Sequence, residues 1–167
     1  MEIRLLDSND VEWYRALRLK SLQESPEAFL TTYELEAAKP IGQLRNNLEP
    51  ADGKFTLGAV EGNELAGMVT FIRENNPKTL HKGNIYAMYV SPQFRGKGAA
   101  TALLQELLRR AARLEGLERI NLTVMADNTA AMRLYERLGF TVYGTERNAL
   151  KVGNRYWDEV LMVLRLN

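Results

Sequence analysis

The stretch from Asn84 to Leu108 constrains the fold most, because a buried strand is joined there to a long helix through a glycine turn. Residues 85–90 are apolar and aromatic, as in a buried strand, and Pro92 ends the strand because proline has no N–H to donate. The following helix carries its apolar side chains on one face: Leu103, Leu104, Leu107, Leu108 and Ala111. This pattern predicts a domain in which helices pack against a sheet.

The turn between this strand and this helix contains Arg95, Gly96, Lys97 and Gly98. Free backbone N–H groups and the positive end of the helix dipole make such a turn an anion site, which phosphate usually occupies. The turn alone is a weak signal, since glycines are common at helix starts. It also lacks the spacing of a Walker loop, and Thr101 stands where the dinucleotide fingerprint has its third glycine.

Composition excludes several classes of function. The 167 residues carry 22 basic and 21 acidic side chains, so no basic field indicates a nucleic-acid partner. The lack of cysteine excludes disulfides and a cysteine nucleophile, and with one histidine it argues against a metal site. Because we find no signal peptide and no membrane-spanning apolar run, we expect a cytoplasmic protein with no membrane partner.

Hydrophobic periodicity and turn residues predict the element order β-α-α-β-β-β-α-β-α-β-β. Short turns join the three strands after the early helices, which should therefore form an antiparallel meander. A whole helix separates the strands near residues 85 and 120, so they are expected to be parallel neighbours. With no repeats and no linker, residues 1–167 are expected to form a single α/β (α+β) domain, with a mixed, mostly antiparallel sheet of about seven strands and about four helices. The predicted strands are 2–6, 54–60, 65–72, 85–90, 119–124, 140–150 and 155–166, and the predicted helices are 11–24, 28–48 (interrupted at Pro40 and Gly42), the glycine turn to about 116, and 129–138.

A second segment, residues 128–140, predicts a short capped helix with a tyrosine in its C-terminal half, followed by Gly-Phe and a strand. The residues that form a pattern across the two segments are Arg95, Gly98 and Ala100 after Met88-Tyr89-Val90, and Asn128, Ala131, Leu134, Tyr135, Gly139 and Phe140. In this order and spacing they resemble the GCN5-related N-acetyltransferase (GNAT) superfamily. The predicted element order matches that fold along essentially the whole chain.

The resemblance implies transfer of an acetyl group from acetyl-CoA, as a co-substrate and without a metal, to a primary amine. It implies that residues 88–90 splay from the neighbouring strand and pair with the pantetheine arm, while the turn amides hold the pyrophosphate. Asn128 would form a hydrogen bond with the cofactor where the strands diverge. The interpretation of Asn128 as a helix N-cap is equally natural, and the residue can play both roles. The implied cofactor contacts are Met88, Tyr89, Val90, Arg95, Gly96, Lys97, Gly98, Ala99, Ala100, Thr101 and Asn128.

Tyr135 is the residue expected to act in catalysis. Acyl transfer from a thioester releases a thiolate, and a thiol has a pKa of about 8.5 against about 10 for tyrosine. A phenol beside the sulfur can therefore donate a proton or a hydrogen bond as the bond breaks. Without the family pattern, a core tyrosine on an amphipathic helix would be the better interpretation.

The sequence does not identify the general base that would deprotonate the amine. The positions where the family often has a glutamate carry Asn84 and Thr123. Because the chain has no cysteine, direct attack of the amine in a ternary complex is favoured over a cysteine acyl-enzyme. The remaining candidates are Glu34, Glu36, Glu159, His81 and a chain of water molecules.

The acceptor is expected to be a small molecule or a peptide amine. Dimers are common for such folds, but no surface stripe of this sequence predicts a homodimer. Two other interpretations stay open: a non-catalytic acyl-CoA-binding or regulatory domain of the same fold, favoured by the missing glutamates, and an unrelated phosphate- or nucleotide-binding domain. Aromatic residues near the expected site, most of them expected to be core, are Phe29, Tyr33, Tyr86, Tyr143, Tyr156 and Trp157.

Overall fold

A computed structural model describes residues 1–166 as a seven-stranded sheet with helices on both faces. None of the helices in this range is long and apolar enough to cross a membrane. The strands are β1 (Glu2–Leu5), β2 (Lys54–Glu61), β3 (Glu64–Arg73), β4 (Lys82–Val90), β5 (Arg119–Met125), β6 (Thr141–Val152) and β7 (Arg155–Arg165). The helices are α1 (Val11–Glu24), α2 (Tyr33–Ala37), α3 (Ile41–Leu48), α4 (Ala99–Ala111) and α5 (Thr129–Arg137).

The strand order across the sheet is β1-β2-β3-β4-β5-β7-β6. Within residues 1–166 only β4 and β5 pair in parallel, and every other neighbouring pair is antiparallel. The antiparallel meander of β2, β3 and β4, the parallel β4–β5 pair and the mixed sheet of seven strands are therefore confirmed. The strand predicted from residue 85 begins earlier, at Lys82, because Gly83 and Asn84 already pair with the end of β3.

The region predicted as one interrupted helix, residues 28–48, forms two short helices. Residues 29–32 are not helical, and the Thr32 side chain begins α2 by accepting a hydrogen bond from the Leu35 N–H at 3.1 Å. Pro40 is the N-cap of α3, where a missing N–H costs nothing, and Gly42 lies inside that helix instead of interrupting it. Within residues 1–166, five α-helices instead of about four helices consequently flank the sheet.

The sheet separates two apolar cores. We call its two sides the α4 face, covered by α4 and α5, and the α1 face, covered by α1 and α3. Side chains of each strand alternate between these faces. The core of the α4 face includes Phe71, Ile85, Leu103, Leu104, Leu107, Ile120, Tyr135, Phe140 and Met162. The core of the α1 face includes Leu6, Val11, Leu17, Leu44, Leu48, Leu65, Met68 and Tyr89.

The two central strands diverge soon after they begin. Their ladder covers only Lys82–Asn84 and Arg119–Asn121, although both strands continue well beyond it. A bulge in β4 places Ala87 at a φ of +54°, opposite a register shift in β3. In the described part of the chain, the edge of residues 85–90 that faces β5 therefore has no strand partner. A cleft opens there, in the middle of the sheet.

Candidate active site

The turn between β4 and α4 is open, and its glycines adopt left-handed backbone conformations. Gly96 and Gly98 have φ angles of +77° and +82°. Among residues 1–166, no atom apart from those of the glycine itself and its two chain neighbours lies within 4 Å of the position that a Cβ would take on either residue. Ala102 is the first residue of α4 whose N–H donates to a helical carbonyl, that of Gly98 at 3.0 Å. The N–H groups of residues 99–101 lie before it, in the first turn, where a helix supplies no acceptor. Lys97 in the turn is exposed. Free N–H groups at the positive end of a helix, approachable across bare glycine backbone, fit a diphosphate.

Arg95, which the sequence predicts as a cofactor contact, is held by protein groups. Its Nε donates to the Val90 carbonyl at 2.9 Å, and its Nη2 donates to Glu24 Oε1 at 2.7 Å. The guanidinium also lies over the Tyr89 ring, 5.6 Å from the centroid, and the Tyr89 hydroxyl donates to the other oxygen of Glu24. Burial raises the pKa of Glu24, but the hydrogen bonds from Tyr89 and Arg95 outweigh it and lower the pKa overall. Arg95 thus ties the glycine turn to the ends of β4 and α1, and its direct contact with a cofactor stays a prediction.

The predicted contacts on β4 are placed to act through their backbone. Tyr89 and Val90 bury their side chains, as does Ala99 at the start of α4, and Met88 is half-buried. On the side of β5, this part of β4 has no ladder partner in residues 1–166. An extended chain that carries amide groups fits there as an added strand.

Asn128 is the N-cap of α5, as expected. Its Oδ1 accepts a hydrogen bond from the Ala131 N–H at 3.2 Å. That bond uses the oxygen of the side-chain amide and leaves its N–H donors for another partner. Because Asn128 is exposed and follows β5 closely, the capping role is compatible with the predicted cofactor contact.

Tyr135 is 7% exposed and lies in the same apolar core as Val90 and Val124, which belong to the two diverging strands. Its ring packs edge-on against Phe140, with 5.8 Å between the centroids. Burial raises the pKa of Tyr135 to about 12. The phenol is therefore protonated at every pH where the protein is expected to work, which suits a donor and not a base.

A carboxylate that sequence reasoning missed lies beside Asn84. Its Nδ2 donates to Glu74 Oε2 at 3.2 Å, at the point where β4 leaves β5. This hydrogen bond is the main cause that lowers the pKa of Glu74. The charge of Glu74 adds to the effect of burial in raising the pKa of the exposed Tyr86, so the two side chains are near each other. The antiparallel register, in which Ile72 faces Asn84, brings Glu74 to this position, and the sequence carries no local signal for it.

The other base candidates are dispersed. Glu36 is buried and paired with Lys39 at 2.9 Å, whereas Glu34 is exposed. Glu159 is half-buried on β7 opposite Met125. His81 is half-buried, and its backbone carbonyl accepts hydrogen bonds from the N–H groups of residues 118 and 119. Thr123, at the second position where the family often has a glutamate, is exposed on β5. Within residues 1–166, no group of three or more acidic, histidine or cysteine side chains is arranged to hold a metal ion.

A cleft of about 620 Å³ lies between the end of α1, the segment that follows it, and the tip of the β6–β7 hairpin. Two of the predicted aromatic residues, Phe29 and Tyr33, line it. Of the others, Tyr86, Tyr143 and Tyr156 are exposed and Trp157 is half-buried under the Arg155 guanidinium, at 4.7 Å. The lining of the cleft is apolar with a few charged groups: Leu22, Gln23, Pro26, Phe29, Leu30, Thr31, Thr32, Tyr33, Glu34, Leu150, Lys151 and Val152.

Comparison with known proteins gives a family and named relatives. Residues 13–140 match the model of the acetyltransferase (GNAT) family. An L-amino acid N-acetyltransferase of Escherichia coli is 25% identical over 150 residues, covering 89% of this chain and 90% of that protein. A mycothiol acetyltransferase of Brachybacterium faecium is 32% identical over 143 residues, covering 84% of this chain but only 40% of that longer protein.

Solved structures share the fold. An acetyltransferase from Salmonella typhimurium, solved with acetyl-CoA, superposes with a TM-score of 0.83 at 22% identity and covers 100% of this chain and 94% of its own. A GNAT-family acetyltransferase from Streptococcus pneumoniae gives 0.82 at 22% identity, with 99% of both chains covered. These likenesses confirm the predicted fold. The match to the family model, over most of the chain, confirms the predicted enzyme class: the protein belongs to the acetyltransferase (GNAT) family, the GCN5-related N-acetyltransferases.

Proposed function

We propose that the protein transfers the acetyl group of acetyl-CoA to a primary amine of a small molecule or peptide, by direct attack in a ternary complex. The observation that carries the proposal is the divergence of β4 from β5 beside an open glycine turn. The protonated Tyr135 lies in the core next to the two diverging strands. This arrangement offers backbone groups to a pantetheine arm and N–H groups to a pyrophosphate.

In this proposal backbone groups of the protein bind acetyl-CoA, the donor of the acetyl group. The free N–H groups at the start of α4, with those of Gly96 and Gly98, bind the pyrophosphate. The unpaired edge of residues 88–90 binds the amides of the arm, and the Asn128 amide bonds it from the other side of the cleft. When bound, acetyl-CoA supplies the thioester carbonyl that the amine attacks.

Tyr135 supports the departure of the sulfur. With a pKa of about 12, its phenol holds its proton more tightly than a thiol of pKa about 8.5 would. A difference of that size makes complete proton transfer to the thiolate unfavourable by about 5 kcal/mol. We infer that Tyr135 donates a hydrogen bond to the sulfur and does not transfer its proton to the thiolate.

Glu74 serves the amine. A glutamate is ionised at neutral pH, and the hydrogen bond from Asn84, which lowers the pKa of Glu74, favours the charged form further. The carboxylate therefore attracts an ammonium and, through a bridging water molecule, accepts the proton that the amine loses before it attacks. Asn84, which occupies a usual glutamate position of the family, holds Glu74 in place through the 3.2 Å hydrogen bond. The acceptor enters through the cleft between α1 and the β6–β7 hairpin, on the α1 face. Relatives named for amino acid and mycothiol acetylation agree with an amine acceptor.

A screen for acetyl transfer tests the proposal. The purified protein is incubated with acetyl-CoA and a panel of amines, amino acids, peptides and aminoglycosides, and free thiol is measured. Thermal shifts with acetyl-CoA, CoA, ATP and NAD run beside it, because a ligand that binds only the folded state raises the melting temperature. Stabilisation by ATP or NAD alone would favour an unrelated nucleotide-binding domain, and no shift with either CoA species would exclude the proposed function.

A second candidate is a non-catalytic acyl-CoA-binding domain, which the lack of a glutamate at Asn84 and Thr123 favours. It predicts stabilisation by acetyl-CoA without release of thiol in the presence of any amine. A thermal shift combined with a negative screen would select it.

A further inference from the structure

Tyr86 presents a large aromatic side chain to solvent in the middle of the sheet. β4 is the fourth of the seven strands, and of its residues 82–90, all of which the structure describes, Tyr86 alone is exposed, at 51%. On the neighbouring β5, Thr123 is likewise the one exposed residue of the described range 119–125. These two positions mark the place where the centre of the sheet is open to solvent.

Tyr86 and Thr123 lie on either side of the gap between the diverging strands. Asn84 and Asn121 are partners in the last rung of the β4–β5 ladder, and Tyr86 and Thr123 are the next residues of the two strands on the same face. This is the α1 face, because Ile85, which points the other way, belongs to the core of the α4 face. The acceptor is proposed to approach from the α1 face, so its amine passes Tyr86 on the way to the thioester.

The charges on this face favour a cation beside Tyr86. The carboxylate of Glu74 accepts the hydrogen bond from Asn84 at 3.2 Å. Asn84 lies two residues before Tyr86 on the same face, about 7 Å along the strand. Lys82 and Arg119 form an earlier rung of the ladder on this face, and they repel an ammonium from the closed end of the gap. An ammonium is therefore directed to the open end, where Tyr86 lies.

An aromatic ring is suited to this position. The face of a tyrosine ring attracts a cation, and the attraction becomes stronger where the site is partly desolvated. Burial and the charge of Glu74 raise the pKa of Tyr86, so its phenol is neutral at neutral pH. The neighbouring Asn84, Asn121 and Thr123 are uncharged and offer hydrogen bonds instead.

We propose that the exposed ring of Tyr86 binds the ammonium group of the acceptor through a cation–π contact, beside Glu74 and at the mouth of the gap between β4 and β5. Tyr86 thereby determines specificity: it favours an acceptor whose amine arrives charged, and it holds that amine near the carboxylate that accepts its proton through water. This inference rests on the proposed acetyl transfer.

A titration without turnover tests the binding of the cation. The protein is loaded with CoA, which has no acetyl group to transfer, and is titrated with butylamine and with butan-1-ol, which has the same shape but no charge. We expect wild type to bind butylamine more tightly. In NMR spectra, the protons next to the nitrogen should shift upfield, because they lie over the ring.

Two variants of Tyr86 separate the ring from the hydroxyl. Tyr86→Phe keeps the ring and should retain the upfield shift and the preference for butylamine. Tyr86→Leu removes the ring, so it should lose the shift and reduce the preference by about twofold to thirtyfold, the value of a cation–π contact. Trp13→Leu is the control, because it removes an aromatic ring that is 38% exposed on α1, and it should behave like wild type.

Kinetics give an independent measure. With an amine that the acetyl-transfer screen identifies, Tyr86→Leu should raise KM by the same factor and leave kcat nearly unchanged, because the contact is made before the amine attacks. Tyr86→Phe should keep the KM of wild type. A general disturbance of the site would lower kcat as well.

The two experiments distinguish failure of the inference from failure of the proposed function. If no amine releases thiol, but butylamine binds better than butan-1-ol and Tyr86→Leu abolishes the upfield shift, the proposed function fails and the cation site stands. The inference is overturned if wild type binds both compounds alike or neither. It is also overturned if Tyr86→Leu keeps the preference, or if Tyr86→Phe loses as much of it as Tyr86→Leu.

Discussion

The carboxylate of Glu24, the last residue of α1, accepts a hydrogen bond from the Arg95 guanidinium at 2.7 Å. This ion pair connects two parts of the candidate site that the sheet would otherwise keep apart. Glu24 ends the helix whose Leu22 lines the cleft, and Arg95 opens the turn expected to hold the pyrophosphate. Tyr89 shares the carboxylate, so β4 belongs to the same network. The network therefore links the end of α1 to the glycine turn, which are the sides of the site proposed for the acceptor and for acetyl-CoA.

Replacing Glu24 with Gln should weaken CoA binding by about threefold to tenfold, because one charge-assisted hydrogen bond to Arg95 becomes a neutral one and the turn is held less firmly. Calorimetric titration with CoA measures the effect. Glu106→Gln is the matched control: it removes a carboxylate that also pairs with arginines, Arg109 and Arg110, in the later turns of α4. Equal affinities for the two variants would contradict the linkage.

Acidification should reveal the same ion pair. The pKa of Glu24 in the folded protein is lowered from its usual value of 4.5, so its stabilising contribution is complete above that pH and is lost as the pH falls through the lowered value. The difference in free energy of unfolding between wild type and Glu24→Gln should therefore be constant near neutral pH and shrink below about pH 4.5. Urea denaturation at a series of pH values measures it. A difference that persists at pH values well below the lowered pKa would show that the ion pair is not its source.

The sequence predicts those parts of the site that depend on neighbouring residues in the chain. A run of apolar and aromatic residues, a pair of glycines at a helix start and an Asn N-cap identify β4, the turn and α5 because each is a local signal. Contacts between distant segments leave no such signal. Glu24 and Arg95 are 71 positions apart, and Arg18 reaches Phe29 only because the segment after α1 folds back over the helix.

Where local signals compete with packing, the prediction is less complete. Residues 28–48 have helical composition, yet the capping hydroxyl of Thr32 and the restricted backbone of Pro40 divide them into two short helices. Glu74 is a similar case. Its approach to Asn84 depends on the register between β3 and β4, which the bulge at Ala87 helps to set, and a bulge cannot be located from alternation alone.

Replacing Gly98 with Ala should destabilise the fold by about 1–2 kcal/mol, because an L-residue is strained at a φ of +82°. The same change places a methyl group on the surface expected to receive the pyrophosphate and should weaken CoA binding. Gly42→Ala is the matched control, since a Cβ there meets nothing within 4 Å and the position lies inside α3. That variant should gain about 0.5–1 kcal/mol and keep its affinity. Chemical denaturation measures the stability of the two variants, and titration with CoA measures their affinity. A Gly98→Ala variant that binds CoA like wild type would show that the turn does not bind the cofactor.

Replacing Tyr135 with Phe should lower kcat by about a hundredfold while leaving the Kd of acetyl-CoA unchanged, because only the hydrogen bond to the departing sulfur is lost. The buried ring and its contact with Phe140 remain, so stability should change little. Since the pKa of Tyr135 is raised to about 12, wild-type activity should show no alkaline loss from this residue between pH 7 and 10. A pH–rate profile and steady-state kinetics measure these effects. A kcat equal to that of wild type would show that another group donates the hydrogen bond to the sulfur.

Replacing Glu74 with Gln should lower kcat/KM at neutral pH by about tenfold to a hundredfold, because the carboxylate that attracts the ammonium and orients the water is lost. The loss should become smaller as the pH approaches the pKa of the acceptor amine, which then arrives already deprotonated. The pH dependence separates this role from a structural one, since a merely misfolded site would be impaired equally at every pH. Glu159→Gln and Glu36→Gln, measured in the same series, test the two half-buried or buried alternatives. If either of them shows the pH-dependent loss and Glu74→Gln does not, the base lies on β7 or α2, and the hydrogen bond between Asn84 and Glu74 serves only to join the ends of two strands.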